Sequence, residues 1–134
     1  MNRTRTPWVV FAQHRPFFGT TIVRLLPEYG IMRRQLEPLL VRHRVDLVLF
    51  GHIHQYQRTC AMVDLECNAS GPVYSVVGTA GATTQVPWAS HPKWLVQRSD
   101  LFGITKMVAN ASHMHVRWFL DVNGSIGDEY YIEK

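Results

Sequence analysis

Gly51-His52-Ile53-His54 sets two imidazoles on either side of one residue, directly after an apolar run that ends at Phe50. Histidines at that spacing reach into the same space once the backbone turns at the glycine, and imidazole nitrogen suits divalent and trivalent metals. His14 stands in a similar place, just past the apolar run of residues 8–12 and within the punctuation Gln13-His14-Arg15-Pro16. His14, His52 and His54 are therefore the candidate metal ligands. His113-Met114-His115 has the same spacing but lies mid-strand with no glycine or loop beside it, and is read as the outer face of a hairpin strand. Ser75 and Ser99 have no neighbouring base and no G-x-S-x-G context, so the sequence gives no support to covalent serine catalysis.

The elements that must position these histidines alternate. Residues 8–12, Trp-Val-Val-Phe-Ala, are β-branched and aromatic and read as a buried strand that feeds the loop at His14. From about residue 28 to 44, Met32, Leu36, Leu39, Leu40 and His43 recur with a helical period, which predicts an amphipathic helix. Pro38 lies inside that helix and predicts a kink or restart near Glu37, because proline removes a backbone donor and clashes with the preceding turn. Val45-Asp46-Leu47-Val48-Leu49-Phe50 then reads as a strand covered on both faces. Strand, helix, strand is the grammar of an α/β sheet, whose ligand sites lie outside the carboxyl ends of strands. His14, His52 and His54 all fall at such ends.

Beyond Gly51 the pattern changes to short strands at residues 57–63, 73–77, 102–109, 113–120 and 128–132, with a tight turn at Asn123-Gly124. The last third is expected to be antiparallel. Residues 79–100, with Gly81, Pro87, Pro92, Trp88 and Trp94, are expected to form a long loop. At 134 residues, 46% of them apolar and 18% charged, the chain is expected to form one domain over residues 1–134.

The net charge of +4 suits an anionic partner such as a phosphorylated small molecule. Its arginines are scattered, without the basic run or aromatic-basic repeat of a nucleic-acid surface, so no nucleic-acid partner is expected. No apolar stretch approaches the ~20 residues that cross a bilayer, so no membrane partner is expected. The N-terminal run is too short for a signal-peptide core. The four asparagines, Asn2, Asn68, Asn110 and Asn123, are each followed two positions later by Ser or Thr with no intervening proline. With Ser and Thr at about a tenth of positions, that coincidence has a chance on the order of 10⁻⁴, which favours glycosylation acceptors and a secretory history. Asn123-Gly124 and the segment from Asn68 to Pro72 also suit turns, which is the competing reason for these residues. Cys60 and Cys67 form either a local disulfide or two inert thiols, since a zinc site on them wants a C-x-x-C spacing or a second pair.

The run from Val45 to Arg58, Val-Asp-Leu-Val-Leu-Phe-Gly-His-Ile-His-Gln-Tyr-Gln-Arg, resembles the fifth metal-binding block of the purple acid phosphatases. There a G-H-x-H motif follows a V-D-x-V strand and precedes a Tyr and an Arg. Trp8-Val9-Val10-Phe11-Ala12-Gln13-His14-Arg15-Pro16 resembles the fourth block, with Phe11 where that block has valine. Gly71-Pro72-Val73-Tyr74, Gly78-Thr79-Ala80-Gly81, Phe102-Gly103 and Asp121-Val122-Asn123-Gly124 resemble the family's C-terminal region.

The resemblance implies the C-terminal part of a layered α/β metallophosphoesterase sandwich flanked by helices. It implies a binuclear centre of Fe(III) with Zn(II), Mn(II) or Fe(II), in which His14 and His52 hold the divalent ion and His54 the ferric ion, acting on phosphate monoesters. The family's G-D-x-G, G-D-x-x-Y and G-N-H-D/E blocks are absent, and Gly127-Asp128 has the wrong neighbours. The chain alone is therefore expected to hold one divalent metal weakly and to hydrolyse little. A missing N-terminal half or another chain would complete the site, and exposed apolar surface is expected on the strands at Trp8 and Val45. The rival expectations are a catalytically inactive remnant that serves as a binding or interaction module, and a related phosphodiesterase or nucleotidase.

Overall fold

The computed structural model describes residues 3–82 and 86–134. Asn2 and residues 83–85 of the long loop lie outside the described residues. The fold is mixed α/β, as expected, with two sheets and one α-helix among the described residues. Strand β1 (Val10–Gln13) leads through a 3-10 turn (Ile22–Leu25) to helix α1 (Pro27–Arg42) and then β2 (Leu47–Phe50). Strands β3 (Tyr56–Val63), β4 (Glu66–Cys67), β5 (Val73–Val77) and β6 (Leu95–Ser99) complete the first sheet. Its order is β1-β2-β5-β3-β4, with β6 also paired to β3. β1, β2 and β5 are parallel, while β3 runs antiparallel to both β5 and β6. The second sheet is the antiparallel meander β7 (Gly103–Ala109), β8 (His113–Leu120) and β9 (Ile126–Glu133).

β2 explains the layering. Its alternate residues face opposite sides: Val48 and Phe50 join Phe17, Phe18, Leu40, Tyr74 and Val76 beneath α1, whereas Leu47 packs with Met114, Val116 and Tyr130 of the second sheet. A strand covered on both faces has to be apolar throughout, and each such side chain contributes roughly 1.5–3 kcal/mol on burial. In β8 the inward residues are Met114, Val116 and Trp118, while His113 is exposed and His115 meets Glu129 at 2.6 Å on the outer face. The period-two reading of that strand, and of its His113–His115 pair, holds.

Several expectations change. Helix α1 runs through Pro38 without a restart; the proline is exposed, and Glu37 beside it is held by Arg33 and by the Asp64 N–H. The buried face of the helix is built on Tyr29, Glu37 and Leu40, with Met32 and Leu36 packed against the core. Leu39 and His43 fall outside it, and His43 is the exposed C-cap. Val45 is only 7% exposed, not an open apolar site, because the chain enters the sheet there beneath its neighbours. The strand at Trp8 does expose apolar surface, at Val10 (40%) on edge strand β1, while Trp8 itself is half-buried. Part of the expected long loop is strand β6, whose polar residues Gln97 and Arg98 hid it. Cys60 and Cys67 form a disulfide across the β3–β4 hairpin, which settles the open choice.

Asp46, the polar residue in an otherwise apolar run, has a structural task. Its carboxylate accepts from the Val9 N–H at 2.7 Å, from Arg3 at 2.9 Å and from Lys134, joining both ends of the chain to the start of β2. Burial pushes this carboxyl up, but the bonds from Lys134, Val9 and Arg3 outweigh burial and leave its pKa below the ordinary value. A depressed folded pKa adds stability that is present above about pH 4 and is lost as pH falls through the folded value. Asp46→Asn is therefore expected to cost about 1–2 kcal/mol near neutral pH. That deficit, measured by urea titration across pH, should shrink steadily in acid. A deficit independent of pH would show that the charge is not what matters.

Candidate metal centre

β1 and β2 are parallel neighbours, paired from Val10↔Leu47 to Gln13↔Phe50, so the residues that follow each strand leave the sheet side by side. The Gly51 N–H continues the pairing onto the His14 carbonyl at 3.1 Å. The chain then turns sharply, with His52 at φ 65°, in the left-handed region that non-glycine residues rarely occupy and that tends to mark functional sites. The Ile53 N–H bonds the Gly51 carbonyl and the Gln55 N–H bonds the Ile53 carbonyl, while the Ile53 side chain is fully buried. This anchored turn carries both histidines of the motif.

The turn brings His52 Nδ1 to 3.1 Å from His14 Nε2, with the rings edge to face and 5.0 Å between centroids. A side chain at position 51 would lie 3.4 Å from the His14 ring, so the glycine leaves room for that imidazole. His54 is half-buried, and its Nδ1 is buried without a hydrogen-bond partner among the described residues. The His52 pKa is lowered, first by burial and then by the nearby charges of Arg15, His14 and His54. A proton therefore competes less with a metal for that ring.

Two nitrogens that share one ion at about 2.1 Å stand roughly 3.0–3.4 Å apart, so the observed separation fits a single divalent cation between His14 and His52. A binuclear centre does not fit this donor set. Among the described residues no group of three or more His, Cys, Asp or Glu side chains is placed to hold a metal. His54 is close enough to act on His52 electrostatically but does not complete such a group.

Other residues near the motif take roles that the sequence left open. Tyr56 and Arg58 turn away from the histidines: the Tyr56 hydroxyl donates to Asp128 at 2.8 Å, and Arg58 donates to both of its carboxylate oxygens at 2.6 and 2.8 Å. Gln55, buried beside His54, donates to the Val86 carbonyl and to Asp100, which also accepts from the Trp88 indole. This clamp holds the segment of residues 86–100, which includes β6, against the histidine turn, and no spacing in the sequence announces it. Gly78 is a second hidden support, because a Cβ there would stand 2.0 Å from the Ile53 carbonyl oxygen.

Two packed sheets with a histidine pair at the carboxyl ends of parallel strands describe a metallophosphoesterase-type α/β domain. A family model described as calcineurin-like phosphoesterase matches residues 2–56, and one described as iron/zinc purple acid phosphatase-like protein C matches residues 71–129. The chain belongs to the purple acid phosphatase-like metallophosphoesterases. It is 33% identical to probable inactive purple acid phosphatase 9 of Arabidopsis thaliana, over 96% of this chain and 22% of that protein. It is 29% identical to a nucleotide pyrophosphatase/phosphodiesterase of Hordeum vulgare, over 100% of this chain and 40% of that one. A purple acid phosphatase from yellow lupin (Lupinus luteus) seeds shares the fold with a TM-score of 0.89 at 24% identity, over 99% of this chain and 26% of that chain. The chain thus spans well under half the length of these relatives.

Proposed function

We propose that this chain, as a single partial domain over residues 1–134, supplies the imidazole arm of a metal site that hydrolyses phosphate monoesters. In this reading His14 and His52 would hold a divalent ion, and His54 would be one ligand of a ferric ion whose other ligands come from the rest of a complete site. The separation between the His14 and His52 ring nitrogens carries the proposal. A completed centre of this kind would supply polarisation of the phosphoryl group and a hydroxide for attack. This chain's own residues bind and orient: the glycine turn holds His52 against His14, and Arg15 adds positive charge where a phosphate dianion approaches. The disulfide and the Asn-x-Ser/Thr motifs support a secretory location.

Alone, the chain is expected to bind one divalent ion weakly, because neutral imidazoles without a carboxylate compensate little of the ion's charge. Calorimetric titration with Zn(II) should show one site per chain, lost in His14→Ala and His52→Ala, with turnover of a chromogenic phosphate ester near background. Two tightly held ions per chain, with iron among them, would sink this expectation. Binding unaffected by either substitution would remove the histidine pair from the site.

A second reading has its own support: the absence of a three-ligand group among the described residues suits an inactive remnant that works as a binding module. Adding a separately produced N-terminal half from a relative separates the two. Restored hydrolysis favours the enzyme, and assembly without turnover favours the module. Comparing monoester with diester cleavage in the restored complex distinguishes phosphatase from phosphodiesterase.

A further inference from the structure

We propose that the outer face of the second sheet is a dimer interface, on which a second copy of this chain packs about a two-fold axis parallel to β8. The pairing does not depend on the phosphoesterase reading. An antiparallel sheet with one face on the core ordinarily turns polar side chains to water on the other. This sheet departs from that pattern. Alternation along its strands sends Met114, Val116 and Trp118 inward, and it sends Ile104, Val108, Ile126 and Tyr131 outward, where they are 66%, 51%, 47% and 58% exposed. Apolar side chains gathered on one open face mark a contact surface.

Charge identifies the occupant. Lys106 on β7 and Arg117 on β8 stand directly opposite each other, and neither has a carboxylate within ion-pair reach among the described residues. Like charges so placed repel. Glu129 completes their row on β9, across from Arg117, and meets His115 at 2.6 Å. Rows across the face therefore run from Ile104 to Ile126, from Lys106 to Glu129 and from Val108 to Tyr131.

Rotation by a half-turn about an axis along β8 lays β7 of one protomer over β9 of its partner and keeps every row in place. Lys106 then faces the partner's Glu129, Ile104 faces the partner's Ile126 and Val108 faces the partner's Tyr131, each contact occurring twice as an isologous interface requires. The unneutralised lysine gains its counter-ion. Arg117 comes near its own copy at the axis, but its guanidinium leans along the strand over the Phe119 ring at 5.3 Å, between the two Glu129 carboxylates. An axis across the strands through the same row would set Lys106 on Lys106 and Glu129 on Glu129, so charge selects the axis along them. Three strands of about seven residues give a face of roughly 14 by 23 Å, at the small end of specific interfaces. A dissociation constant in the micromolar range is expected.

Sedimentation velocity on the intact chain, from about 1 μM to 1 mM, should show a monomer–dimer equilibrium that weakens with added salt. Lys106→Glu and Glu129→Lys should each weaken the dimer about tenfold or more, because each sets like charges face to face, and the two together should restore it to within a few fold. Both residues are exposed, so the variants should fold, and equal melting temperatures check this. Ile104→Asp, at the most exposed of the apolar positions, should also dissociate the dimer. A chain that stays monomeric at the highest concentration, or a dimer indifferent to these substitutions, would overturn the pairing. So would capture of a separately made N-terminal half on this face by an otherwise monomeric chain, which would give the face another occupant.

Discussion

Asp128→Ala is expected to lower the melting temperature by roughly 10–15 °C, the equivalent of about 3–5 kcal/mol in a chain of this size. Asp128 lies on β9 of the second sheet and its partners Tyr56 and Arg58 on β3 of the first, so the cluster bolts the two sheets together. Arg58 is 14% and Asp128 8% exposed at the side chain. Burial works against the guanidinium's charge, yet the Asp128 carboxylate outweighs burial and its pKa is raised. Arg58 also lies over the Tyr130 ring at 4.5 Å, and Tyr56 stacks on Trp118 at 4.3 Å. Removing the carboxylate strands a buried cation and a buried hydroxyl, which is why the single substitution costs more than the pair is worth. Replacing Arg58 by Met together with Asp128 by Leu should recover most of the loss. Differential scanning calorimetry decides it, and a shift of only a degree or two for Asp128→Ala would show that the sheets adhere through apolar packing alone.

Gly78→Ala should act on the histidines from below. The new Cβ would meet the Ile53 carbonyl oxygen at 2.0 Å and the Ile53 carbonyl carbon at 2.9 Å, so the backbone of the turn that carries His52 and His54 has to move. Overpacking of this kind costs about 1–3 kcal/mol, and misplacing an imidazole by an ångström removes a ligand from reach. A loss of Zn(II) binding of tenfold or more by calorimetry, with a modest fall in stability, is the expected result. Gly30→Ala is the contrast: it sits in α1 with only the flexible end of Arg34 nearby, and should be neutral or gain about 0.5–1 kcal/mol. Unchanged metal affinity in Gly78→Ala would detach the turn from its support.

The strands and the helix were legible because burial imposes a period on them. β5 and β8 have the bounds that alternation and apolar runs predict, and α1 begins and ends within about two residues of its expected limits, the usual uncertainty of helix ends. β6 escaped because Val96, Gln97 and Arg98 are partly exposed, so no core-facing period marks them. The approach of His14 to His52 follows from parallel pairing of β1 and β2, which the strand–helix–strand pattern predicts. The roles of Tyr56, Arg58, Gln55 and Gly78 did not follow, because each depends on a contact made from a distant part of the chain: Asp128, Asp100 and Ile53. Local pattern reports which face is apolar and says nothing about which remote backbone or carboxylate will lean on a given residue.

β1 has a neighbour on one side only, and among the described residues its other margin is open. His14 is the residue that leaves that strand. Any polypeptide that zips onto the vacant margin would come to rest alongside the imidazoles, so docking there and access to the histidines share one doorway. Whatever fills that margin also sets how open the two imidazoles are, and the same stretch of backbone would report both.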